Sequence, residues 1–517
     1  MSRPTPPFTR LLVANRGEIA VRIFRTCAEL GIETVAVYSD ADAEALHVRL
    51  ADHAVRLGPA PATESYLRGE AIIEAALASG AQAVHPGYGF LSEQAAFGAA
   101  VEAAGLVFVG PAPHTLASLG DKLEARASAT AAGVPIVPGM FEPLPLTDPD
   151  AVSLIEAEAQ RIGFPLLIKA AAGGGGRGMR RVDDAAELTA TATAAARESE
   201  QAFGDSAVYL ERLVEGGRHI EVQLLGDSHG SIVALGERDC STQRRHQKLV
   251  EEAPAPGLSR AQREELHGLA VTVARSVGLR NAATAEFLYA PDGSFYFLEV
   301  NARLQVEHGV TELVSDLDLV REQLFIAAGE PLSLAALAAA ERASTPERHA
   351  IELRISAEDP ARDFAPVPGR ITRWREPGGP GIRNDSGVEQ GWLVPGDYDP
   401  MLAKVLAVAP DREMALARAR RAVGEFETGG VQTTLPFHAW LLSQPSFTEA
   451  RLRTDMVERE WHPGPLLAAA AERAADAVAQ HAWGHGRAPA ARDEPARDTD
   501  GAPCEDAGRG WKTTPWT

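Results

Sequence analysis

Apolar runs and helical spacing alternate at the start of the chain. Leu11–Ala14 is an apolar run that predicts a strand, and Asn15–Glu18 predicts a turn after it. Ile19–Leu30 has the spacing of a helix that ends at Gly31, and Thr34–Tyr38 predicts the next strand. A strand, a helix and a strand in this order indicate a parallel α/β sheet.

This pattern continues to about Gly120 and then changes. Ala83–His85 and Leu106–Val109 predict further strands, whereas strands, glycine-rich loops and helices are mixed from Lys122 to about Gly329. Short strand patterns and turns return after residue 350. The sequence predicts a Rossmann-like parallel α/β domain, a central domain with a glycine-rich lid, an α+β domain, and an Ala-rich helix with a disordered tail. The expected bounds are 1–120, 121–330, 345–455 and 462–517.

Composition narrows the class of protein. The chain has 50 Lys+Arg against 71 Asp+Glu and a formal net charge of -21, which argues against a general nucleic-acid binder. Three widely spaced cysteines give no zinc pattern and fit a reducing compartment. The N-terminus has no apolar signal region, and no apolar run approaches the ~18 residues of a membrane span. We therefore expect a cytoplasmic globular protein that binds neither membrane nor nucleic acid, and composition alone goes no further.

Two strand-like runs flank an Asp-Gly pair and predict a β-hairpin. The runs are Thr284–Tyr289 and Phe295–Asn301, and Asp292–Gly293 between them is a strong two-residue turn signal. Residues equidistant from such a turn face each other, which places Glu286 opposite Glu299 with Cβ atoms about 4.5–5.5 Å apart.

A divalent cation would relieve the repulsion between these two carboxylates. Asn301 lies on the same face by the period-two rule, and carboxylate and amide oxygens together suit Mg²⁺ with substrate phosphates. Two other interpretations stay open: both glutamates lie on a solvated face, or a three-residue loop that includes Pro291 shifts the register by one.

A glycine run follows a strand that ends in a lysine. Pro165–Ala170 predicts the strand, with Lys169 near its end, and Gly173–Gly178 follows. Glycine lets backbone N–H groups close over phosphate oxygens, but no Gly-Lys-Ser/Thr makes this a Walker loop. Met179–Val182 predicts a second strand, so the run forms either a lid over a nucleotide or an ordinary mobile loop.

Two polar clusters add candidate chemistry. Glu237–Lys248 mixes Gln, Arg, His and Lys, which fits either an anion site or a solvated charged strand. The second cluster follows the hairpin and contains Arg303 and Glu307. An arginine and a glutamate there can hold a small anion and take its proton.

Taken together, these stretches resemble the biotin carboxylase component of acyl-CoA carboxylases, within the ATP-grasp ligases. The resemblance runs from about Leu11 to Leu452 and implies that the central domain is an ATP-grasp domain between N- and C-terminal biotin carboxylase domains. It rests on ANRGEIAVRI, HPGYGFLSE, GDK at 120–122, IKAAAGGGGRGM, ERDCSTQRRHQKLVEEAPAP, NARLQVEH and AEDP.

The resemblance implies site residues and cofactors, namely ATP, Mg²⁺ or Mn²⁺, bicarbonate, and biotin on a carrier protein. The implied metal ligands are Glu286, Glu299 and Asn301. The implied catalytic residues are Arg303, Lys248, Arg354 and Glu307, with Glu307 as general base and Arg354 facing biotin. The implied remaining contacts to ATP or bicarbonate are Lys122, Lys169, Gly175, Gly176, Glu211, Val214, His219, Gln243, His246 and Val306.

The chain departs from the family pattern at a few positions. Ala172 stands where many relatives have glycine, and Ala302 replaces the usual Pro or Thr. Gly309 replaces a proline, and we expect it to loosen the backbone two residues after the proposed base.

The resemblance also implies partners. The chain has no Ala-Met-Lys-Met biotin-attachment motif, so biotin is expected on a carrier protein or domain, with a separate carboxyltransferase subunit and a homodimer. We expect the first half-reaction of an acyl-CoA carboxylase of the acetyl- or propionyl-CoA type. An ATP-grasp enzyme with another acceptor and a non-catalytic scaffold are the alternatives.

Overall fold

The computed structural model describes most of the chain, namely residues 6–120, 122–145, 149–170, 179–203 and 206–464. Gly175 and Gly176 of the predicted lid lie outside these ranges, and so do residues 465–517 of the predicted helix and tail. The described helices include none that is long and apolar enough to cross a membrane.

A five-stranded parallel sheet forms the N-terminal region, as the strand and helix patterns predict. Its order is β3-β2-β1-β4-β5, with the strands β1 Arg10–Val13, β2 Glu33–Ser39, β3 His53–Gly58, β4 Ala83–His85 and β5 Val107–Phe108. The helices are α1 Gly17–Leu30, α2 Leu46–Leu50, α3 Gly69–Ser79, α4 Ala95–Ala103 and α5 Pro113–Gly120, with 3₁₀ turns at Asp40–Asp42 and Ala62–Glu64.

The strand order reverses between β1 and β4, and the loops after these two strands meet. Asn15 Nδ2 donates to the carbonyls of Pro86 at 2.8 Å and Tyr88 at 2.7 Å. Ligands of open α/β sheets bind at such a switch point, outside the carboxyl ends of the strands. α1 ends where predicted because Gly31 adopts a left-handed φ of 75°.

A small antiparallel sheet begins the central region. Its order is β6-β9-β7-β8, with β6 Leu144–Pro145, β7 Leu166–Ala170, β8 Arg180–Val182 and β9 Ala207–Arg212. β7 and β8 pair antiparallel on either side of the glycine run, as the predicted strand–loop–strand requires. The helices of this part are α6 Lys122–Ala131, α7 Pro149–Ile162 and α8 Ala185–Phe203.

An eight-stranded antiparallel sheet joins the central and C-terminal regions. Its order is β14-β13-β10-β11-β12-β15-β22-β20, so the predicted boundary between the two regions falls within one continuous sheet. Its strands are β10 Arg218–Gly226, β11 Ile232–Arg244, β12 Gln247–Ala253, β13 Asn281–Tyr289, β14 Phe295–Asn301, β15 His349–Ser356, β20 Ile382–Ser386 and β22 Met401–Ala409. The helices between them are α9 Arg260–Ser276, α10 His308–Ser315, α11 Leu319–Ala327 and α12 Leu334–Arg342.

Short strand pairs and four helices complete the C-terminal region. The pairs are β16 Glu358–Asp359 with β17 Ala365–Pro366, β18 Gly369–Arg370 with β21 Leu393–Val394, and β19 Arg373–Arg375 with β23 Glu427–Gly429. The helices are α13 Arg412–Glu425, α14 Leu435–Leu441, α15 Pro445–Thr448 and α16 Met456–Glu460, with a 3₁₀ turn at Pro360–Arg362. All three regions belong to one compact unit that ends at Pro463.

Candidate active site

A cavity of about 770 Å³ lies where the three regions meet. Its walls come from the loops after β1 and β4, from β7 and β9 of the small sheet, and from the large sheet. Most of the predicted site residues line it: Lys169, Glu211, Val214, His219, Gln243, His246, Lys248, Glu286, Glu299, Asn301, Arg303, Val306 and Arg354.

The hairpin pairs Glu286 with Glu299 as predicted, but not through a two-residue turn. Ala290 N donates to Ser294 O at 2.9 Å, so the loop has three residues, and Gly293 within it has a φ of 90°. The longer loop shifts the register by one, and Leu298 shifts it back as a bulge in β14 between Glu286↔Glu299 and Phe287↔Phe297. The predicted turn was therefore wrong, whereas the predicted pairing is confirmed.

The carboxylate of Glu286 is surrounded by donors. Its Oε1 lies 3.1 Å from Lys248 Nζ and accepts from Asn301 Nδ2 at 3.0 Å, and its Oε2 lies 3.0 Å from His219 Nε2. Burial opposes the charge of Glu286, but Lys248 and His219 outweigh burial and hold the pKa of this carboxyl far below its usual range. Two carboxylates and an amide on one cavity wall form the hard oxygen set that fits Mg²⁺.

Glu307 lies at the centre of a charged network at the end of the hairpin. The side chain is fully buried, and Lys248 Nζ donates to its Oε1 at 2.5 Å while Arg354 Nη2 donates to its Oε2 at 2.9 Å. Burial alone would raise the pKa of Glu307, but Lys248, Arg354 and Arg238 together hold it well below its usual range. Glu307 is therefore ionised.

Arg303 approaches the same cavity from the segment after β14. Its Nη1 donates to Gln305 Oε1 at 2.8 Å, and its Nη2 donates to Asn301 Oδ1 at 3.3 Å. A salt bridge of 3.2 Å with Glu93 ties the guanidinium to the N-terminal region. The cavity lining thus includes Arg303 and Lys248, whereas Glu307 is buried outside that lining and is reached through its contact with Lys248.

A second ion-pair group lies on the small sheet. Lys169 Nζ on β7 donates to Glu211 Oε2 on β9, and Arg126 Nη1 donates to Glu211 Oε1 at 3.0 Å. Burial opposes the charge of Glu211, yet the two cations keep the pKa of this carboxyl below its usual value. Lys122 begins α6, but its side chain is not among those described.

The sheet also brings in residues that the motifs did not identify. Glu221 on β10 lies opposite Glu286, and its Oε2 accepts from Lys248 Nζ at 2.5 Å. Arg238 on β11 bonds the other oxygen of Glu221 and donates to Thr284 Oγ1 at 3.0 Å. The period-two spacing of His219 and Glu221 was the only sequence signal, because both side chains then share the face of Glu286.

A cavity between a small four-stranded sheet and a larger sheet, with a Lys–Glu pair on one wall and carboxylate and amide oxygens on the other, is typical of an ATP-grasp ligase. Three family models match consecutive segments: the biotin carboxylase N-terminal domain over 7–116, the ATP-binding domain of the carbamoyl-phosphate synthase L chain over 121–335, and the biotin carboxylase C-terminal domain over 352–459. The chain therefore belongs to the biotin carboxylase family, and it is an enzyme of that type.

Individual relatives agree with this assignment. Biotin carboxylase of Pseudomonas aeruginosa is 47% identical over 87% of this chain and 98% of its own length. The alpha3 subunit of a biotin-dependent acyl-coenzyme A carboxylase of Mycobacterium leprae is 46% identical over 89% of this chain and 76% of its own length. A biotin carboxylase of Campylobacter jejuni in complex with β,γ-ATP superposes with a TM-score of 0.82 at 40% identity, covering 88% of this chain and 99% of that one.

A further neighbour was solved with nucleotide and bicarbonate. The biotin carboxylase domain dimer of Hydrogenobacter thermophilus 2-oxoglutarate carboxylase, in complex with MgADP, ADP and bicarbonate, superposes with a TM-score of 0.82 at 42% identity. It covers 87% of this chain and 97% of that one. These ligands belong to that protein, and they suit a cavity lined by both cationic and carboxylate groups.

Proposed function

We propose that this chain uses ATP and bicarbonate to carboxylate biotin carried on another polypeptide. The observation that carries the proposal is the continuous network from Lys248 on the cavity wall, through the buried Glu307, to Arg354, which lines the same cavity. It joins a cation for an anionic substrate, an ionised carboxylate that can take a proton, and a guanidinium that can bind a developing oxyanion.

ATP binds between the two sheets in this proposal. Glu286, Glu299 and Asn301 hold Mg²⁺ or Mn²⁺, which when bound neutralises charge on the phosphates. The glycine run with Gly175 and Gly176 covers the nucleotide and excludes water. The other nucleotide contacts are Lys122, Lys169, Glu211, Val214, His219, Gln243 and His246.

Bicarbonate binds beside Arg303, Lys248 and the backbone of Val306. Glu307 removes the proton of bicarbonate, whose oxygen then attacks the γ-phosphorus of ATP and releases ADP. Lys404 Nζ supports this position, because it donates to the carbonyl of Val306 at 2.7 Å and so fixes the residue next to the base. The product of this step is carboxyphosphate.

The second step transfers the carboxyl group. Carboxyphosphate separates into CO₂ and phosphate, and the phosphate takes the proton from N1 of the biotin ureido group. Arg354 stabilises the negative charge that develops on the ureido oxygen. The N1 of biotin then attacks CO₂ and gives carboxybiotin.

ATP hydrolysis by the purified chain tests this function. We expect hydrolysis to need bicarbonate and to rise when free biotin is added, with carboxybiotin formed from labelled bicarbonate. Hydrolysis at the same rate without bicarbonate would contradict the proposal, because Glu307 would then have no bicarbonate proton to remove.

Arg354→Ala separates the two steps. We expect biotin carboxylation to fall about 100-fold or more, as for removal of an oxyanion donor. Bicarbonate-dependent ATP hydrolysis is expected to fall less, although not to stay at the parent rate, because Arg354 also bonds Glu307. Arg260→Ala on the exposed face of α9 is the control and should change neither rate. Equal loss of both activities would argue against a role for Arg354 at biotin.

The final acceptor in this proposal is an acyl-CoA of the acetyl or propionyl type. The 46% identity with the Mycobacterium leprae acyl-coenzyme A carboxylase subunit supports it. A carrier protein, a carboxyltransferase and a second copy of this chain are then the partners. Pull-down of the native complex with mass spectrometry tests the assignment, and recovery of a pyruvate-specific carboxyltransferase would contradict it.

A further inference from the structure

A second pair of facing glutamates lies behind the active site. Glu251 on β12 and Glu352 on β15 are direct partners in the antiparallel register, and both side chains are completely buried. Facing Cβ atoms in such a pair are about 4.5–5.5 Å apart, so the two carboxyl groups can reach each other. Like charges at this distance inside a protein destabilise the fold unless something neutralises one of them.

Hydrogen bonding in this pair is one-sided. Glu251 Oε1 accepts from Arg354 Nε at 2.6 Å. Glu251 Oε2 and both oxygens of Glu352 are buried and make no hydrogen bond to any part of the chain that the structure describes. A buried ionised carboxylate without hydrogen bonds is costly, so at least one of these groups needs a proton.

The neighbouring cations are bound to other groups. Arg354 is shared between Glu251 and Glu307, and Lys404 Nζ donates to Val306 O at 2.7 Å and lies 3.2 Å from Glu18 Oε1. The charged and titratable groups around the pair are Lys248 on β12, Arg354 on β15, Glu307 after β14, His308 at the start of α10, Arg383 on β20 and Lys404 on β22.

Both carboxyl groups hold protons more tightly than usual. Burial is the main cause, and it raises the pKa of Glu352 well above its ordinary value. Burial also raises the pKa of Glu251, to about 7, although Arg354 opposes the shift. Glu307 adds a further negative charge that raises both pKa values.

We propose that Glu352 is a protonated acid that donates a hydrogen bond to Glu251 Oε2, so that the pair carries one negative charge and positions Arg354. Glu352 is then a positioning residue, because it reaches the substrate site only through Glu251 and Arg354. This role rests on the proposed function, in which Arg354 faces biotin and Glu307 takes the bicarbonate proton.

The shared proton balances Arg354 between its two carboxylate partners. A neutral Glu251 would release Arg354 toward Glu307 and weaken Glu307 as a base, because the pKa of Glu307 would fall further. A doubly charged pair would draw the guanidinium away from Glu307. One charge on the pair keeps Nε and Nη2 of Arg354 on Glu251 Oε1 while Nη2 also reaches Glu307 Oε2.

Infrared spectroscopy of the ligand-free full chain tests the proton directly. The parent protein at pH 7 should show carbonyl absorption of a buried carboxylic acid, and the parent-minus-variant difference spectrum for Glu352→Gln should contain a band of this kind. Glu252→Gln is the matched control, because Glu252 is the next residue on β12, is equally buried, and accepts from His349 and Arg412 at 2.7 Å. That variant should keep the band. A Glu352→Gln difference spectrum without this band would overturn the proposal whether or not the chain carboxylates biotin.

Kinetics test the positioning role. Glu352→Gln keeps a neutral donor to Glu251 and should hold the biotin carboxylation rate within about threefold of the parent, whereas Glu352→Leu should lower it about 10-fold or more, since a charge-assisted hydrogen bond is lost. In Glu352→Leu, the biotin carboxylation rate should fall by a larger factor than the rate of bicarbonate-dependent ATP hydrolysis. Equal rates for the leucine and glutamine variants would overturn the positioning role. If the leucine variant does not fold, the glutamine variant decides through its rate and its infrared band.

Discussion

Facing glutamates at two places in the same sheet meet the same repulsion in opposite ways. Glu286 and Glu299 face each other across β13 and β14 on the cavity wall, where Lys248 and His219 lie within hydrogen-bond distance of Glu286. Glu251 and Glu352 face each other across β12 and β15, are completely buried, and are not among the residues that line this cavity.

The difference shows how location decides the neutralising charge. On the cavity wall, basic side chains keep Glu286 ionised, and in the proposed function this pair holds a divalent cation. Behind the wall lie Glu251 and Glu352, the closed pair. A proton is the smallest charge that can neutralise one of them, and it lets the two side chains stay close together. Each prediction below breaks or sharpens this contrast.

Removal of Lys248 should have the largest effect. Its Nζ is shared by the carboxylates of Glu221, Glu286 and Glu307, so Lys248→Met leaves three buried charges without their common cation. Loss of one partner of a buried ion pair costs about 3–5 kcal/mol of folding stability. Bicarbonate-dependent turnover should fall separately, by about 100- to 1000-fold, as for a lost transition-state donor.

The pH profile of the same variant gives a second readout. Lys248 lowers the pKa of Glu307, so its removal raises that pKa. The base acts when ionised, and the acid limb of kcat/KM should therefore move to higher pH. Lys248→Arg keeps the charge and should leave the limb near its parent position. An unmoved limb in the methionine variant would mean that Glu307 is not the base.

Glu286→Gln should weaken metal binding by Glu286 and Glu299 on the cavity wall. One ligand charge is lost, so the Mg²⁺ concentration for half-maximal ATP hydrolysis should rise at least as much as for loss of an outer partner of a metal ligand, about 10–100-fold. Glu252→Gln is the control, because Glu252 is buried but lies away from the cavity lining. An unchanged Mg²⁺ dependence would remove Glu286 from the metal site.

Glu352→Gln should change how stability depends on pH. A carboxyl whose pKa is raised in the folded state stabilises the fold below its ordinary value of 4.5, and this contribution is lost as pH rises through the folded pKa, about 7 for Glu251. The glutamine variant lacks one of the two titrating groups. As pH rises from about 5 to 8, the free energy of unfolding of the variant should therefore increase relative to that of the parent, by on the order of 1 kcal/mol.

Glu252→Gln again provides the contrast. Burial opposes the charge of Glu252, but His349 and Arg412 lower its pKa to about 2. The stability that this carboxylate contributes is therefore lost only as pH falls below 4.5. Denaturant unfolding across pH 5 to 8 should give a constant difference between this variant and the parent. A constant difference for Glu352→Gln as well would mean that the closed pair carries no extra proton.

Local signals predicted one pair and not the other. Glu286 and Glu299 are close in sequence, so a turn signal was enough to align them, and two one-residue shifts, in the loop and at Leu298, cancelled. Glu251 and Glu352 are brought together only when β12 pairs with β15 across the predicted boundary between two regions. No periodicity in either strand specifies that partner, and the contact depends on the assembled sheet.

The packing around Gly309 is likewise visible only in the folded structure. The sequence suggested a loosened backbone after Glu307, but Gly309 is the second residue of α10 and packs against the closed pair. A Cβ there would lie 2.5 Å from Leu406 Cδ2 and 3.3 Å from Glu352 Oε2. The buried leucine side chain therefore occupies the space that a larger residue at position 309 would need.

Gly309→Ala should have the smallest effect. Alanine gains up to about 1 kcal/mol of helix propensity, but overpacking costs about 1–3 kcal/mol, and Leu406 is fully buried against Ala253, Val310 and Ala350. We expect a net loss of about 1 kcal/mol in the free energy of unfolding. Leu406→Val alone should cost about 0.5–1.5 kcal/mol, whereas the double variant should lose less than the sum, because the shorter side chain makes room for the new methyl group. Additive losses would mean that residue 309 and Leu406 do not compete for this space.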